Sequence, residues 1–104
     1  AGGNGQNSGS LSFHNVSLHV EKHSVTVEGE SCELTYKEFE LLRYLLENQG
    51  IVLSRDRIME RVWGFDYEGE SRTVDMHIKT LRQKLGVGGD IIKTVRNVGY
   101  KVGD

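Results

Sequence analysis

Residues 34–64 read LTYKEFELLRYLLENQGIVLSRDRIMERVWG, and this stretch predicts two helices that share one core. Thr35 followed three residues later by Glu38 is a capping box, with Leu34 and Phe39 spaced as a hydrophobic staple around it. Apolar residues then recur on one helical face, namely Phe39, Leu42, Leu45 and Leu46. We therefore predict a first helix over residues 36–48, closed by Gly50.

The second helix of this stretch is short. Ser54 can cap its N-terminus, and Leu53 and Ile58 have the spacing of another staple. Ile58 forms a compact inner face with Val62 and Trp63, and Gly64 ends the helix.

Residues 71–86, SRTVDMHIKTLRQKLG, predict a third helix that begins near Arg72 and ends before Gly86. Its core stripe is Val74, Ile78, Leu81 and Leu85. The opposite side presents Arg72, Met76, Lys79 and Gln83, flanked by Thr73, Thr80, Asp75 and Arg82. Such side chains supply the donors and acceptors that base edges in the major groove and phosphates require, and the Met76 thioether could pack on a thymine methyl. The helix pattern alone favours the alternative, a solvated amphipathic helix with one stray methionine.

The C-terminal residues 91–102, IIKTVRNVGYKV, predict a β-hairpin with arms 91–95 and 100–102. Asn97 and Gly99 tolerate the positive φ that such turns often require. Arg96 lies at the turn, with Lys93, Thr94 and Lys101 on the arms. A cation at a hairpin tip can enter the minor groove beside a helix in the major groove. The two helices, the basic third helix and the basic hairpin, in that order, are far more specific than any one of them.

The N-terminal region differs from the rest of the chain. Residues 1–12, AGGNGQNSGSLS, have almost nothing to bury and predict a flexible tail, which is either a native linker or an expression remnant. Short apolar runs between Phe13 and Leu34 predict three antiparallel strands. We expect one α+β domain over residues 13–104.

The net charge of −2 does not by itself suggest a partner with many phosphates. The charge is unevenly distributed, however. Residues 1–71 hold six Lys and Arg against twelve Asp and Glu, whereas residues 72–104 hold seven against three. Local potential governs binding, so a basic C-terminal third is compatible with nucleic acid. Chance unevenness is the alternative.

The three stretches quoted above together resemble the OmpR/PhoB-type winged-helix effector domains of two-component response regulators. Their order and spacing match over Phe13 to Val102, nearly everything outside the tail. The resemblance implies a winged helix-turn-helix fold with an N-terminal antiparallel sheet, a three-helix core and a C-terminal hairpin called the wing. It also implies sequence-specific binding of double-stranded DNA for transcription regulation.

The resemblance assigns roles to individual residues. The positions on the DNA-facing recognition helix are Arg72, His77, Lys79, Thr80 and Arg82. Thr94 matches a wing position near the DNA backbone, and Arg96 matches the wing arginine that probes the minor groove. The positions that commonly support phosphate contacts are Trp63, Thr73 and Tyr100. Thr80 departs from relatives with a basic residue there, which leaves the preferred base sequence open, and His77 either contacts DNA or packs as part of the structure.

Partners are also implied by the resemblance. Such domains often bind direct-repeat half-sites, promoted by phosphorylation of a receiver domain on which a sensor kinase acts. This sequence contains no receiver, so we expect the isolated domain to be a monomer that binds weakly. The segment with Phe65, Asp66, Tyr67 and Glu68 corresponds to one that contacts RNA polymerase in some relatives. The alternative, which the composition favours, is a connector with its aromatic side chains folded onto the core.

Other functions are less well supported by the residues. Histidines 14, 19 and 23 lie in the strand region, where their spacing does not converge on a metal ion. No nucleophile elbow or phosphate-cradling loop is present, so we predict no enzyme and no cofactor. The single cysteine, Cys32, the lack of a long apolar run and the lack of a secretory signal favour a cytoplasmic protein. The rival that stays open is a winged helix whose basic face binds an acidic protein.

Overall fold

The computed structural model describes residues 10–64 and 72–103. Its N-terminal part is an antiparallel sheet of four strands in the order β1-β2-β3-β4. The strands are β1 (Ser10–Phe13), β2 (Val16–His19), β3 (Ser24–Val27) and β4 (Glu30–Cys32).

The prediction of three strands was therefore wrong. His14 adopts a left-handed φ of 55°, which turns the chain so that Phe13 pairs with Val16 and one apolar run becomes two strands. The pairing extends to Ser10 opposite His19, so the sheet begins inside the segment predicted as a tail. Residues 10–12 hold one apolar side chain, Leu11, between two serines, which is too short an alternation to predict a strand.

The helices are α1 (Tyr36–Glu47), α2 (Arg55–Val62) and α3 (Arg72–Leu85). The capping box is confirmed, since the Glu38 amide donates to Thr35 Oγ1 at 3.2 Å and the Thr35 amide donates to Glu38 Oε1 at 2.9 Å. The Ser54 cap is confirmed as well, with its hydroxyl accepting from the Arg57 amide at 3.1 Å. The local signals therefore set where α1 and α2 begin.

The C-terminal part contains a second, three-stranded sheet. A 3₁₀ helix, Gly86–Ile91, follows α3 and leads into the wing, formed by β6 (Ile92–Val95) and β7 (Gly99–Val102). The strand β5 (Leu53–Ser54) pairs with β7, giving the order β5-β7-β6. The pairing of β5 with β7 joins the wing to the start of α2. Two residues are too few to produce a strand pattern, so the sequence did not predict β5. The 3₁₀ helix was not predicted either.

Gly99 has a different role from the one predicted. Asn97 has the expected positive φ of 65°, but Gly99 is not in the left-handed region. A Cβ at Gly99 would overlap the Leu53 carbonyl oxygen, because β5 and β7 approach each other closely there. Glycine is required at this position by the contact between strands and not by the turn.

One ion pair joins α1 to the C-terminal end of α3. The Glu38 side chain is almost fully buried, and Lys84 Nζ lies 2.7 Å from its Oε1. Burial alone would raise the pKa of Glu38, but the hydrogen bonds from Lys84 and Thr35 outweigh it and lower that pKa. Glu38 thus both completes the α1 cap and holds α3 against the body of the domain.

Candidate nucleic-acid interface

The orientation of α3 agrees with the sequence pattern. The side chains of Val74, Ile78, Leu81 and Leu85 are all at most 2% exposed and belong to the core. The side chains opposite are exposed: Arg72, Met76, Lys79 and Gln83. Met76 is 66% exposed, which is unusual for a large apolar side chain. α3 therefore presents a polar face with one apolar side chain in its middle.

The wing presents its turn to solvent. The Val98 amide donates to the Val95 carbonyl oxygen at 3.0 Å and closes the turn. Arg96, Asn97 and Val98 are exposed at the tip, and Lys93 is exposed on the adjoining arm. Because β7 pairs with β5 through Gly99 and Tyr100, the arm next to the turn is fixed to the body, while the turn residues 96–98 stay exposed.

Several cations on α3 and the wing have no acidic partner. Within residues 10–64 and 72–103, the side chains of Lys79 and Arg96 make no hydrogen bond or ion pair, and the same holds for the side chains of Lys93 and Lys101. Their charge is therefore available to an external anion.

His77 packs against the domain. Its Nδ1 lies 2.9 Å from the Thr73 carbonyl oxygen, and its ring meets the Trp63 indole edge-on at 4.8 Å between centroids. Trp63 in turn lies 5.9 Å from Lys37 Nζ, which donates to the Val62 carbonyl oxygen at 2.8 Å. These contacts support the middle of α3 from beneath. They favour the packing role for His77 among the two roles left open by the sequence.

Asp75 is the one acidic side chain on α3, and it is compensated within the domain. Arg55 Nε donates to Asp75 Oδ1 at 2.8 Å, and the Tyr100 hydroxyl donates to the same oxygen. Partial burial alone would raise the pKa of Asp75, but these two hydrogen bonds lower it. The carboxylate therefore stays charged and paired, which reduces its repulsion of an approaching phosphate.

Sequence reasoning missed Arg55, which lies on α2 and has no pattern that relates it to Asp75. Tyr100 is only 5% exposed, and burial together with Asp75 raises the pKa of its hydroxyl. The structure thus places Tyr100 beneath the polar face, with its hydroxyl bonded to Asp75. Of the other predicted residues, Thr94 is exposed on β6, and the Thr80 hydroxyl donates to the Met76 carbonyl oxygen at 3.1 Å.

Some of the predictions concern other parts of the chain. Phe65, Asp66, Tyr67 and Glu68 lie outside the described residues. In the described part, no three His, Cys, Asp or Glu side chains are grouped as metal ligands, and the histidines at 14 and 23 lie in turns at opposite ends of β2. The Cys32 thiol donates to the Lys84 carbonyl oxygen at 3.2 Å, and burial raises its pKa more than nearby Lys84 lowers it. None of the helices in the described ranges has the length and apolarity to span a bilayer.

Comparison with known proteins gives a consistent family. Residues 29–102 match the family described as "Transcriptional regulatory protein, C terminal". The sensory transduction protein RegX3 of Mycolicibacterium smegmatis is 44% identical over 101 residues, which are 94% of this chain and 44% of RegX3. The chain thus spans less than half the length of that relative.

Two solved structures are also similar. The response regulator DrrB of Thermotoga maritima, an OmpR/PhoB homologue, has a TM-score of 0.82 at 30% identity, covering 92% of this chain and 45% of DrrB. The DNA-binding domain of Klebsiella pneumoniae RstA, solved in complex with the RstA box, has a TM-score of 0.79 at 32% identity, covering 90% of this chain and 96% of that domain. The winged-helix architecture, the exposed α3 face and these similarities together show that the chain belongs to the OmpR/PhoB-type family of DNA-binding domains that regulate transcription in response regulators.

Proposed function

We propose that this domain binds double-stranded DNA in a sequence-specific manner, with α3 in the major groove and the wing tip at the adjacent minor groove. The observation that carries the proposal is a pair of exposed cations whose side chains have no partner among the described residues, Lys79 on α3 and Arg96 at the wing tip. A B-DNA major groove about 12 Å wide accepts one α-helix, and a narrow minor groove attracts an arginine.

Direct base contacts are assigned to the exposed α3 face. Lys79 and Gln83 can donate to base edges, and Met76 can contact a thymine methyl. Arg72 and Thr73, in the first turn of α3, are assigned to contacts with the DNA backbone. Thr80, Thr94 and Trp63 border this surface and complete the proposed contacts, while His77 and Tyr100 support it from within.

The wider role is that of the effector half of a two-component response regulator. The similarity to RegX3 and DrrB, each about twice as long as this chain, supports a receiver domain in the whole protein. A sensor kinase would then act through that receiver, and two effector domains would occupy direct-repeat half-sites about one helical turn apart. The isolated domain is proposed to be a weakly binding monomer of the cytoplasm, without catalytic activity. The segment with Phe65 and Tyr67 is proposed as a contact for RNA polymerase.

The test is selection of bound duplexes from a random DNA pool, followed by salt titration of the selected site. We expect one enriched sequence motif and an affinity that falls steeply with salt. Arg96→Ala should weaken binding and flatten the slope of log K against log salt by ~1 unit. Lys22→Ala, which removes the same charge from the N-terminal sheet region, should change neither quantity. If the slope for Arg96→Ala equals that of the wild type, the wing tip does not take part in the DNA interface.

The alternative, an acidic protein partner, predicts a different result in the same titration. If the domain shows no binding to mixed duplex DNA at low salt, the exposed cations serve a protein surface instead. The similarity to a domain solved on its DNA box favours DNA.

A further inference from the structure

Arg82 lies on α3, but its guanidinium group is bonded to the wing. One terminal nitrogen, Nη2, donates to the Ile92 carbonyl oxygen at 2.8 Å and to Thr94 Oγ1 at 2.8 Å. Both acceptors belong to β6, the strand that leads to Arg96 at the wing tip. A single side chain thus connects the helix proposed for the major groove to the hairpin proposed for the minor groove.

The guanidinium group is also held by the surrounding side chains. Its central carbon lies 5.9 Å from the centroid of the Tyr100 ring, and the Arg55 guanidinium lies at the same distance from that ring. The Tyr100 hydroxyl donates to Asp75, which Arg55 also contacts. α2, α3 and both wing strands therefore meet at one cluster, formed by Arg55, Asp75, Arg82, Thr94 and Tyr100.

This arrangement has a physical consequence for binding. The guanidinium is planar and rigid, so two hydrogen bonds from one nitrogen fix the angle between α3 and β6 more closely than a flexible ammonium would. A surface ordered before binding loses less conformational entropy when the ligand arrives. Arg82 then orders β6 relative to α3 before DNA arrives.

We propose that Arg82 is a positioning residue, which locks the wing to the recognition helix and acts on DNA affinity through the wing and not through a phosphate contact. The inference rests on the proposed function, because it concerns the same surface. It differs from the role that the family resemblance implies, in which Arg82 faces DNA.

Three single variants and one double variant test whether Arg82 holds the wing against α3. Arg82→Lys keeps the charge and loses the planar fork, Arg82→Gln removes the charge, and Thr94→Val removes one acceptor at nearly constant shape. Arg82→Lys and Arg82→Gln should each weaken binding to the selected duplex about tenfold, as loss of charged hydrogen bonds implies. The salt slope of Arg82→Gln should equal that of the wild type. Thr94→Val should weaken binding about threefold, and the double variant Arg82→Lys, Thr94→Val should bind no more weakly than Arg82→Lys alone.

Arg43→Lys is the matched control, because it makes the same exchange of arginine for lysine on the surface of α1 and should bind as the wild type does. Amide hydrogen exchange of the free domain gives a second readout without DNA. In Arg82→Lys, exchange should accelerate in β6 and β7, while the amide of Ile78 in α3 should keep its protection.

Two results would overturn the proposal. A salt slope for Arg82→Gln that falls by ~0.9 would show that Arg82 neutralises a phosphate. Unchanged exchange in the wing of Arg82→Lys would show that Arg82 does not hold the wing. Failure of the proposed function would look different: the wild type would not bind duplex DNA at low salt, while the exchange experiment would still report on the lock.

Discussion

The cations of α1 and α2 have different partners from those of the α3 face and the wing. On α1, Arg43 Nε lies 3.1 Å from Glu47 Oε2, and Arg61 Nη2 of α2 lies 3.3 Å from Glu47 Oε1. Lys79 and Arg96 have no such partner among the described residues. A chain with a net charge of −2 can therefore present positive potential on one surface, because its carboxylates neutralise cations elsewhere.

This difference depends first on the orientation of α3, with its apolar stripe in the core. The variant Ile78→Ala tests that orientation. Ile78 is 1% exposed in the core, so its truncation should lower the free energy of unfolding by about 3 kcal/mol. Urea unfolding checks this value. Met76→Ala, two residues earlier on the exposed face, is the control and should change stability by less than about 0.5 kcal/mol. Equal losses for the two variants would mean that the stripe does not face inward.

The next effect concerns the anchor at the other end of α3. Glu38→Gln removes the charged acceptor of Lys84 and should lower the free energy of unfolding by about 2 kcal/mol at neutral pH. Glu40→Gln, whose side chain lies 3.8 Å from Arg43 on the surface of α1, is the matched control and should have little effect.

The sign of the pH dependence follows from the lowered pKa of Glu38. Its stabilisation is complete above the unfolded pKa, near 4.5, and is lost as the pH falls through the lower folded pKa. The stability difference between the wild type and Glu38→Gln should therefore be constant from pH 7 to about 5 and shrink below about 4. A difference that instead grows on acidification would contradict the pairing.

Much of the fold could be predicted because its signals are local. The Thr35 capping box, the Ser54 cap and the apolar stripe of α3 all lie within a few residues of the elements they define. The strand β5 could not be predicted, since it depends on pairing with β7, which is distant in the sequence. The turn at His14 is local, but a histidine and not a glycine adopts its positive φ, so the turn lacks the usual signal.

The proposed interface was predictable in part for the same reason. Exposure of Met76 and Lys79 follows from helical periodicity, and Arg96 lies in a recognisable turn. The pairing of Arg82 with Thr94 and of Asp75 with Arg55 is tertiary, so no sequence spacing reveals it. As a result, the resemblance gave Arg82 and Lys79 the same DNA-facing role although their contacts differ.

A smaller effect is expected from the one apolar side chain of the exposed α3 face, Met76. Met76→Ala should weaken binding to the selected site by about 1 kcal/mol, because the thioether would lose apolar contact with a base. Its salt slope should stay that of the wild type, since no charge changes. Selection from a random pool should show relaxed preference at one base pair. Unchanged preference would leave Met76 without a role in base recognition.

The smallest change in stability is expected from a surface ion pair on α1. Arg43→Ala removes a surface ion pair and should change the free energy of unfolding by less than about 0.5 kcal/mol. DNA affinity and its salt slope should be those of the wild type. A weakened affinity would extend the interface onto α1.

The most direct measurement compares two double variants that remove the same number of charges from the two regions. Lys79→Gln with Arg96→Gln should reduce the slope of log K against log salt by about 2 units, because two positive charges that release counterions from the DNA are lost. Arg43→Gln with Arg61→Gln should leave that slope unchanged. Equal slopes for the two double variants would contradict the assignment of DNA binding to the unpaired cations of α3 and the wing.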